Sequence, residues 1–270
     1  MPTCLEGSET AHTGISAAEA IQRLSEHHGP FPAEPRLDPA QELVFTILSQ
    51  HTSDANSSRA YSRLMAQFGT LEAVARAEVA DIEEAIRSGG LARIKAPRIK
   101  EVLKRVLELN GSLDLSFLGE MPLSEAKAWL RELPGVGPKT AGIILSFALG
   151  MPAMAVDTHI YRVCQRLGLI GPKVTADKAH DVLEAIVAPE QVFQFHLSFI
   201  THGRRVCKAQ RPHCGECVVS FGCPSRDRFM DSTDQTRSTT RSSPLARGVD
   251  AGYTRPTQLP HSLPVEEEAP

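Results

Sequence analysis

Aromatic residues make up only 5% of this 270-residue chain, which has one Trp and three Tyr. β-Branched residues are scattered while Ala and Leu are abundant, so sheet-rich folds are disfavoured and an all-α class is expected. Long apolar runs are also missing. The most apolar stretch, 141–156, is broken by Ser146, Gly150 and Pro152 and is too short to span a bilayer. No stretch near residue 1 joins a basic start to an apolar run, which argues against a secretory signal, so a cytoplasmic protein with no membrane partner is expected. What the chain does have is 41% hydrophobic content, enough to build one large domain or two small ones.

An excess of positive charge is absent too: the net charge is -3. Taken at face value this excludes a nucleic-acid binder, but the charge is segregated. Residues 1–36 carry two Arg against five Glu, and 227–270 carry five Arg against seven acids, whereas 37–226 hold 22 basic against 20 acidic residues. Within that body, 204–226 place Arg204, Arg205, Lys208, Arg211 and Arg226 against Glu216 alone. Such a patch can neutralise phosphates, or it can be an ordinary solvated loop.

Residues 1–15 and 227–270 lack periodicity and are expected to be a disordered arm and tail. Between them, helical signals follow one another. Ser16 with Glu19 forms a capping box for a helix reaching His28, and Asp38-Pro39 opens a second helix with a stripe of Leu43, Val44, Ile47 and Leu48. Six polar residues, Ser49 to Asp54, come next. Asp54 is expected to cap a helix from Ala55, while Gln50 and His51, delivered by a rigid helix end, are placed to reach into a cleft. A helix is expected over 71–87, then Gly89-Gly90 and a lone Leu91 that is either satellite core or a wedge between bases. Pro97 is expected to start the next helix. Later, Asp157 is placed to cap a helix over 158–167, a role that needs no chemistry to explain it.

Residues 133–141, Leu-Pro-Gly-Val-Gly-Pro-Lys-Thr-Ala, connect two helical patterns, 123–133 and 140–149. Gly135 and Gly137 free the backbone to take positive φ and to approach another surface with no Cβ in the way, and the amides of the turn, followed by a helix N-terminus, suit a phosphate oxygen. A tight connection with no ligand has the same glycine pattern. Four of the six cysteines, Cys207, Cys214, Cys217 and Cys223, are spaced Cys-x6-Cys-x2-Cys-x5-Cys. A metal site is favoured over disulfides, and the spacing leaves zinc and a 4Fe-4S cluster both open. Cys164 falls within a helix as a packing residue, and Cys4 lies in the arm.

Together, the hairpin at 133–141, Val-Asp-Thr-His-Ile-Tyr-Arg-Val at 156–163 and the cysteine spacing resemble the endonuclease III family of helix-hairpin-helix DNA glycosylases. The resemblance spans about residues 17–226. It implies two all-α domains flanking a DNA cleft: a helical barrel with the hairpin at 38–150, and a domain joining 16–37 to 151–226 that carries a 4Fe-4S cluster on Cys207, Cys214, Cys217 and Cys223. It also implies a monomeric, nucleoid-associated base excision repair enzyme that removes oxidised pyrimidines from duplex DNA and nicks abasic sites. Lys139 matches the family's nucleophile and Asp157 its catalytic aspartate. Leu91 matches the wedge and His51 the residue that fills the emptied space, with Gln50 beside it. Gly135, Val136, Gly137 and Thr140 match the phosphate-gripping hairpin. The chain departs at Gln50-His51-Thr52-Ser53-Asp54, where well-known members have Ala-Gln-Ala-Thr-Asp, and at Pro138, where a basic residue is frequent. A monofunctional mismatch glycosylase of the same fold, and a non-catalytic iron-sulfur DNA-binding module, are the alternative readings; Lys139 argues against the first.

Overall fold

The computed structural model describes residues 14–29, 31 and 37–230. The expectations for 1–13 and 231–270, Cys4 among them, lie outside the described residues. Within these, the chain forms eleven α-helices joined by turns and short 3-10 segments, with no strand, so the all-α class holds.

Two compact units emerge. The described residues of the first fall within Met1–Ala33, Ala141–Ser146 and Gly150–Val249. It contains α1 (Ala17–His28), α9 (Thr158–Leu167), α10 (Ala176–Ile186) and α11 (Val192–Arg205). Their apolar faces meet around Leu24, Ile160, Leu183, Phe195 and Phe199, and the two Phe rings stack with centroids 4.1 Å apart. Ile15, expected in the unstructured arm, is instead part of this core and 2% exposed. Burying an Ile side chain is worth roughly 2 kcal/mol, enough to bring the residues just before α1 into the fold.

The second unit holds α2 (Pro39–Ser49), α3 (Asp54–Phe68), α4 (Leu71–Arg76), α5 (Val79–Ala85), α6 (Ala92–Asn110) and α7 (Leu123–Arg131). Helix α8 (Pro138–Ala148) starts here, while its residues 141–146 count with the first unit.

Local chemistry explains most boundaries. Ser16 Oγ accepts from Glu19 N at 3.1 Å and Asp38 Oδ1 from Gln41 N at 2.8 Å, as the capping signals required. Beyond shifts of one or two residues at helix ends, such as α8 opening at Pro138 and not at Thr140, three features differ from the sequence-based expectation. Ser53, not Asp54, caps α3, accepting from Asn56 N; Asp54 is already helical, where its charge faces the positive end of the dipole. The single helix expected over 71–87 is two helices broken at Ala77-Glu78, each packed on α6, with Val74 and Ile82 both fully buried. Pro97 does not open α6 but sits inside it, because the buried Lys95 and Ala96 already hold the preceding turn helical.

Candidate nucleic-acid site and cysteine centre

In the hairpin after α7, Gly135 has φ of 75°, a left-handed conformation that strains any residue with a Cβ. Gly137 does not use that freedom, with φ of -95° and ψ of -179°. Its value is spatial, since a Cβ there would meet nothing within 4 Å and the backbone is open to an approaching group. Val136 is only 7% exposed and its N–H is spent on Leu133 O at 3.1 Å, so it anchors the turn and its amide is not available to a ligand. Gly137 is the N-cap of α8, Pro138 has no N–H, and no side chain caps this end. The amides of Lys139 and Thr140 therefore lie at an uncapped positive helix terminus. The Thr140 side chain points inward, 6% exposed, whereas Lys139 is exposed.

Beside the hairpin, the Arg98 side chain runs along Gly135: a Cβ on that glycine would stand 3.3 Å from Arg98 Cδ and Nε. Arg98 Nη1 donates to Gln50 Oε1 at 3.1 Å. Gln50, Arg98 and Gly135 thus form one cluster on the second unit.

His51 and Leu91 both have φ of 54°, and both are exposed, Leu91 by 49%. A non-glycine residue in the left-handed region costs on the order of 1 kcal/mol, so neighbours must hold it there. Lys95 links the two turns. Its Nζ donates to Leu48 O at 2.7 Å and to Gly89 O at 3.1 Å, tying the end of α2 to the turn before Leu91, and the residue is 2% exposed. Sequence reasoning missed Lys95, although a signal was there: it lies at helical spacing from Ile99, Val102 and Val106, on the buried stripe of α6.

Burial pushes the Lys95 amine from 10.5 down to about 8. Between those values the unfolded chain binds the extra proton, so the Lys95 contribution to stability rises with pH across that window. The unfolding free energy of the wild type minus that of Lys95→Met should increase by on the order of 2 kcal/mol between pH 7.5 and 9.5 in urea titrations. A difference that stays level with pH would exclude this account.

In the first unit, Asp157 caps α9 as expected, with Oδ1 accepting from both His159 N (2.9 Å) and Ile160 N (2.8 Å). One carboxylate oxygen does the capping, and Oδ2 has no partner among the described residues. The same helix carries Arg162 and Arg166, whose roles were also missed. Arg162 Nε donates to Cys207 O at 3.0 Å and Nη2 to Gly203 O at 2.8 Å. Arg166 Nη1 donates to Lys208 O at 2.7 Å and Cys207 Sγ at 3.3 Å. Their spacing of four residues puts both guanidinium groups on one face of α9, toward the cysteine loop.

Cys207, Cys214, Cys217 and Cys223 line one cavity with Arg166 and His202. None is in a disulfide. Cys164, by contrast, is fully buried in the core, where burial pushes its thiol well up. Burial also raises the Cys214 and Cys223 thiols and pushes Cys217 up to about 12, so the bare loop holds thiols that a cationic centre would deprotonate. Among the described residues no three His, Cys, Asp or Glu side chains converge closely enough for a single metal ion. Four cysteines around one cavity supply the four thiolates that an iron-sulfur cube takes. Arg166 and the Cys217 Sγ to His202 Nε2 contact of 3.4 Å offer hydrogen bonds to its sulfurs.

Lys139 belongs to the second unit and Asp157 to the first. Comparison with known proteins accounts for both halves. Residues 44–189 match the model of the HhH-GPD superfamily base excision DNA repair proteins, and 207–223 match the iron-sulfur binding domain of endonuclease III. The chain is 33% identical to endonuclease III of Thermotoga maritima over 207 residues, covering 77% of this chain and 90% of the relative. It is 32% identical to that of Escherichia coli over 212 residues, covering 78% and 95%. Among solved structures, a trapped endonuclease III-DNA covalent intermediate superposes with a TM-score of 0.67 at 28% identity, covering 80% of this chain and all of the other. With the uncapped hairpin helix, the Asp157 cap and the four-cysteine cavity in place, the chain belongs to the endonuclease III family of helix-hairpin-helix DNA glycosylases, and its cysteine loop is a 4Fe-4S site.

Proposed function

We propose that Lys139 is the nucleophile with which this base excision repair glycosylase and abasic-site lyase removes oxidised pyrimidines from damaged duplex DNA. The observation that carries the reading is an exposed primary amine in the first turn of α8, directly after a glycine hairpin whose helix end no side chain caps. In this reading the Lys139 and Thr140 amides grip a phosphate without reading sequence. The damaged base is turned out of the stack, Leu91 enters the gap, and His51 fills the vacated space.

The Lys139 lone pair then attacks C1′ as the N-glycosidic bond breaks and its electron pair leaves with the base. After the nitrogen gives up a proton, its lone pair forms the C1′=N bond as the C1′–O4′ bond breaks, and O4′ takes up a proton, which leaves a protonated Schiff base. Loss of a C2′ proton expels the 3′ phosphate by β-elimination, and water hydrolyses the imine to release the enzyme. Asp157, held by its Oδ1 bonds, presents Oδ2 to the positive charge that grows on the sugar. Cys207, Cys214, Cys217 and Cys223 would hold the cluster, which would supply a one-electron couple there. The protein acts as a monomer on chromosomal DNA, and no helix of the described residues is long and apolar enough to cross a membrane.

Borohydride tests the reading. Reduction during turnover of a lesion duplex should yield a covalent protein-DNA adduct, and its absence would remove the lyase mechanism. For the cluster, Cys217→Ala should lose the visible absorbance and the iron and sulfide content found in the wild type; zinc in the wild type instead would sink the assignment.

A further inference from the structure

The Arg98-Gln50 contact decides which face of an amide this site offers. Arginine carries only donors, so the Gln50 atom that meets Arg98 Nη1 at 3.1 Å must be the carbonyl oxygen. Gln50 Nε2 then has both hydrogens left, and no partner for them among the described residues. Arg98 has no carboxylate partner there either; its aliphatic stem and Nε lie along Gly135, four residues before Lys139. Gln50 therefore stands one guanidinium away from the loop that carries the nucleophile, on the same unit. Both residues are half-buried, so the bond that orients the amide is partly shielded from water.

We propose that Arg98 and Gln50 form a reading pair that selects a turned-out base bearing a carbonyl oxygen where Gln50 Nε2 meets it. Arg98 is the positioning residue and Gln50 the donor. Thymine- and uracil-derived lesions carry oxygen at C4, an acceptor for Nε2–H. Cytosine-derived lesions carry an amino group there, which sets donor against donor and leaves a shielded polar group unpaired. The inference rests on the reading of Lys139 as the nucleophile of this site, and it names the class of base that the site takes.

The test is single-turnover excision from matched duplexes containing dihydrouracil or 5-hydroxycytosine. The wild type should excise dihydrouracil at least about tenfold faster. Gln50→Glu still accepts from Arg98 but presents only acceptors, so the ratio of the two rates should fall by about tenfold or reverse. Arg98→Met frees the amide to rotate and should bring the ratio part of the way down. Each ratio comes from a single preparation, so any loss of folded protein cancels. A wild-type ratio near one, or a ratio unmoved in both variants, overturns the proposal. Nicking of a preformed abasic duplex, which has no base to read, separates the two levels of failure. If the wild type cannot nick it, the Lys139 reading fails and takes this inference with it; if it can, an unmoved ratio condemns the reading pair alone.

Discussion

Lys139→Ala should lose borohydride trapping altogether and cut abasic DNA at least about a thousandfold more slowly than the wild type, while melting at nearly the same temperature. The size of the effect follows from the chemistry. No Schiff base forms without a primary amine, and strand scission by this route needs the Schiff base as the electron sink for β-elimination. The absence of a stability effect follows from the structure. Lys139 is exposed in the first turn of α8, and alanine there is at least as good a helix former. The variant should also still bind an abasic duplex, since its two uncapped amides belong to the backbone. Gel-resolved trapping, nicking time courses and thermal melting together check the claim. A variant that still crosslinks would move the nucleophile elsewhere.

The second large effect is expected at Asp157. Asp157→Asn should slow base excision by about 10²–10⁴-fold with little loss of stability, because asparagine caps a helix nearly as well as aspartate yet carries no charge for the developing sugar cation. In the native protein Oδ1 takes both amide bonds, which leaves Oδ2 for the proposed charge contact. Asp157→Ala removes the cap as well and should cost a further ~1 kcal/mol of stability. Single-turnover kinetics on a lesion duplex, read beside denaturant unfolding, separates the two duties. If Asp157→Asn excises within tenfold of the wild type, the carboxylate is a cap and nothing more.

Much of the candidate site was legible in the sequence. The caps at Ser16, Asp38 and Asp157 were readable because a cap bonds an amide two or three residues away. The hairpin was readable from two glycines and a proline, and the cysteine centre from its spacing. The errors cluster where another segment of chain intervenes. For Gly137 the glycine pattern left two uses open, positive φ and close approach without a Cβ; its φ is ordinary, and the open space around it is what matters. Val136 was grouped with the phosphate contacts because it lies between the glycines; its burial and its bond to Leu133 O put it to structural use. The break at Ala77-Glu78 has no glycine or proline to announce it, so helical periodicity ran straight through.

By itself the sequence determined the helical class, most of the places where helices start, the amine and carboxylate proposed for the chemistry, and the four cysteines of the cluster loop. All of these depend on residue type and on spacing within a turn or two. Tertiary structure decided what surrounds them. Lys95 reaches Leu48 O across 47 positions, Arg98 reaches Gln50 across 48, and Arg166 reaches Cys207 across 41. No local period encodes such pairs. They exist because packing the helices buries carbonyls and amides that must then find partners, and a long cationic side chain from a neighbouring helix is the donor within reach.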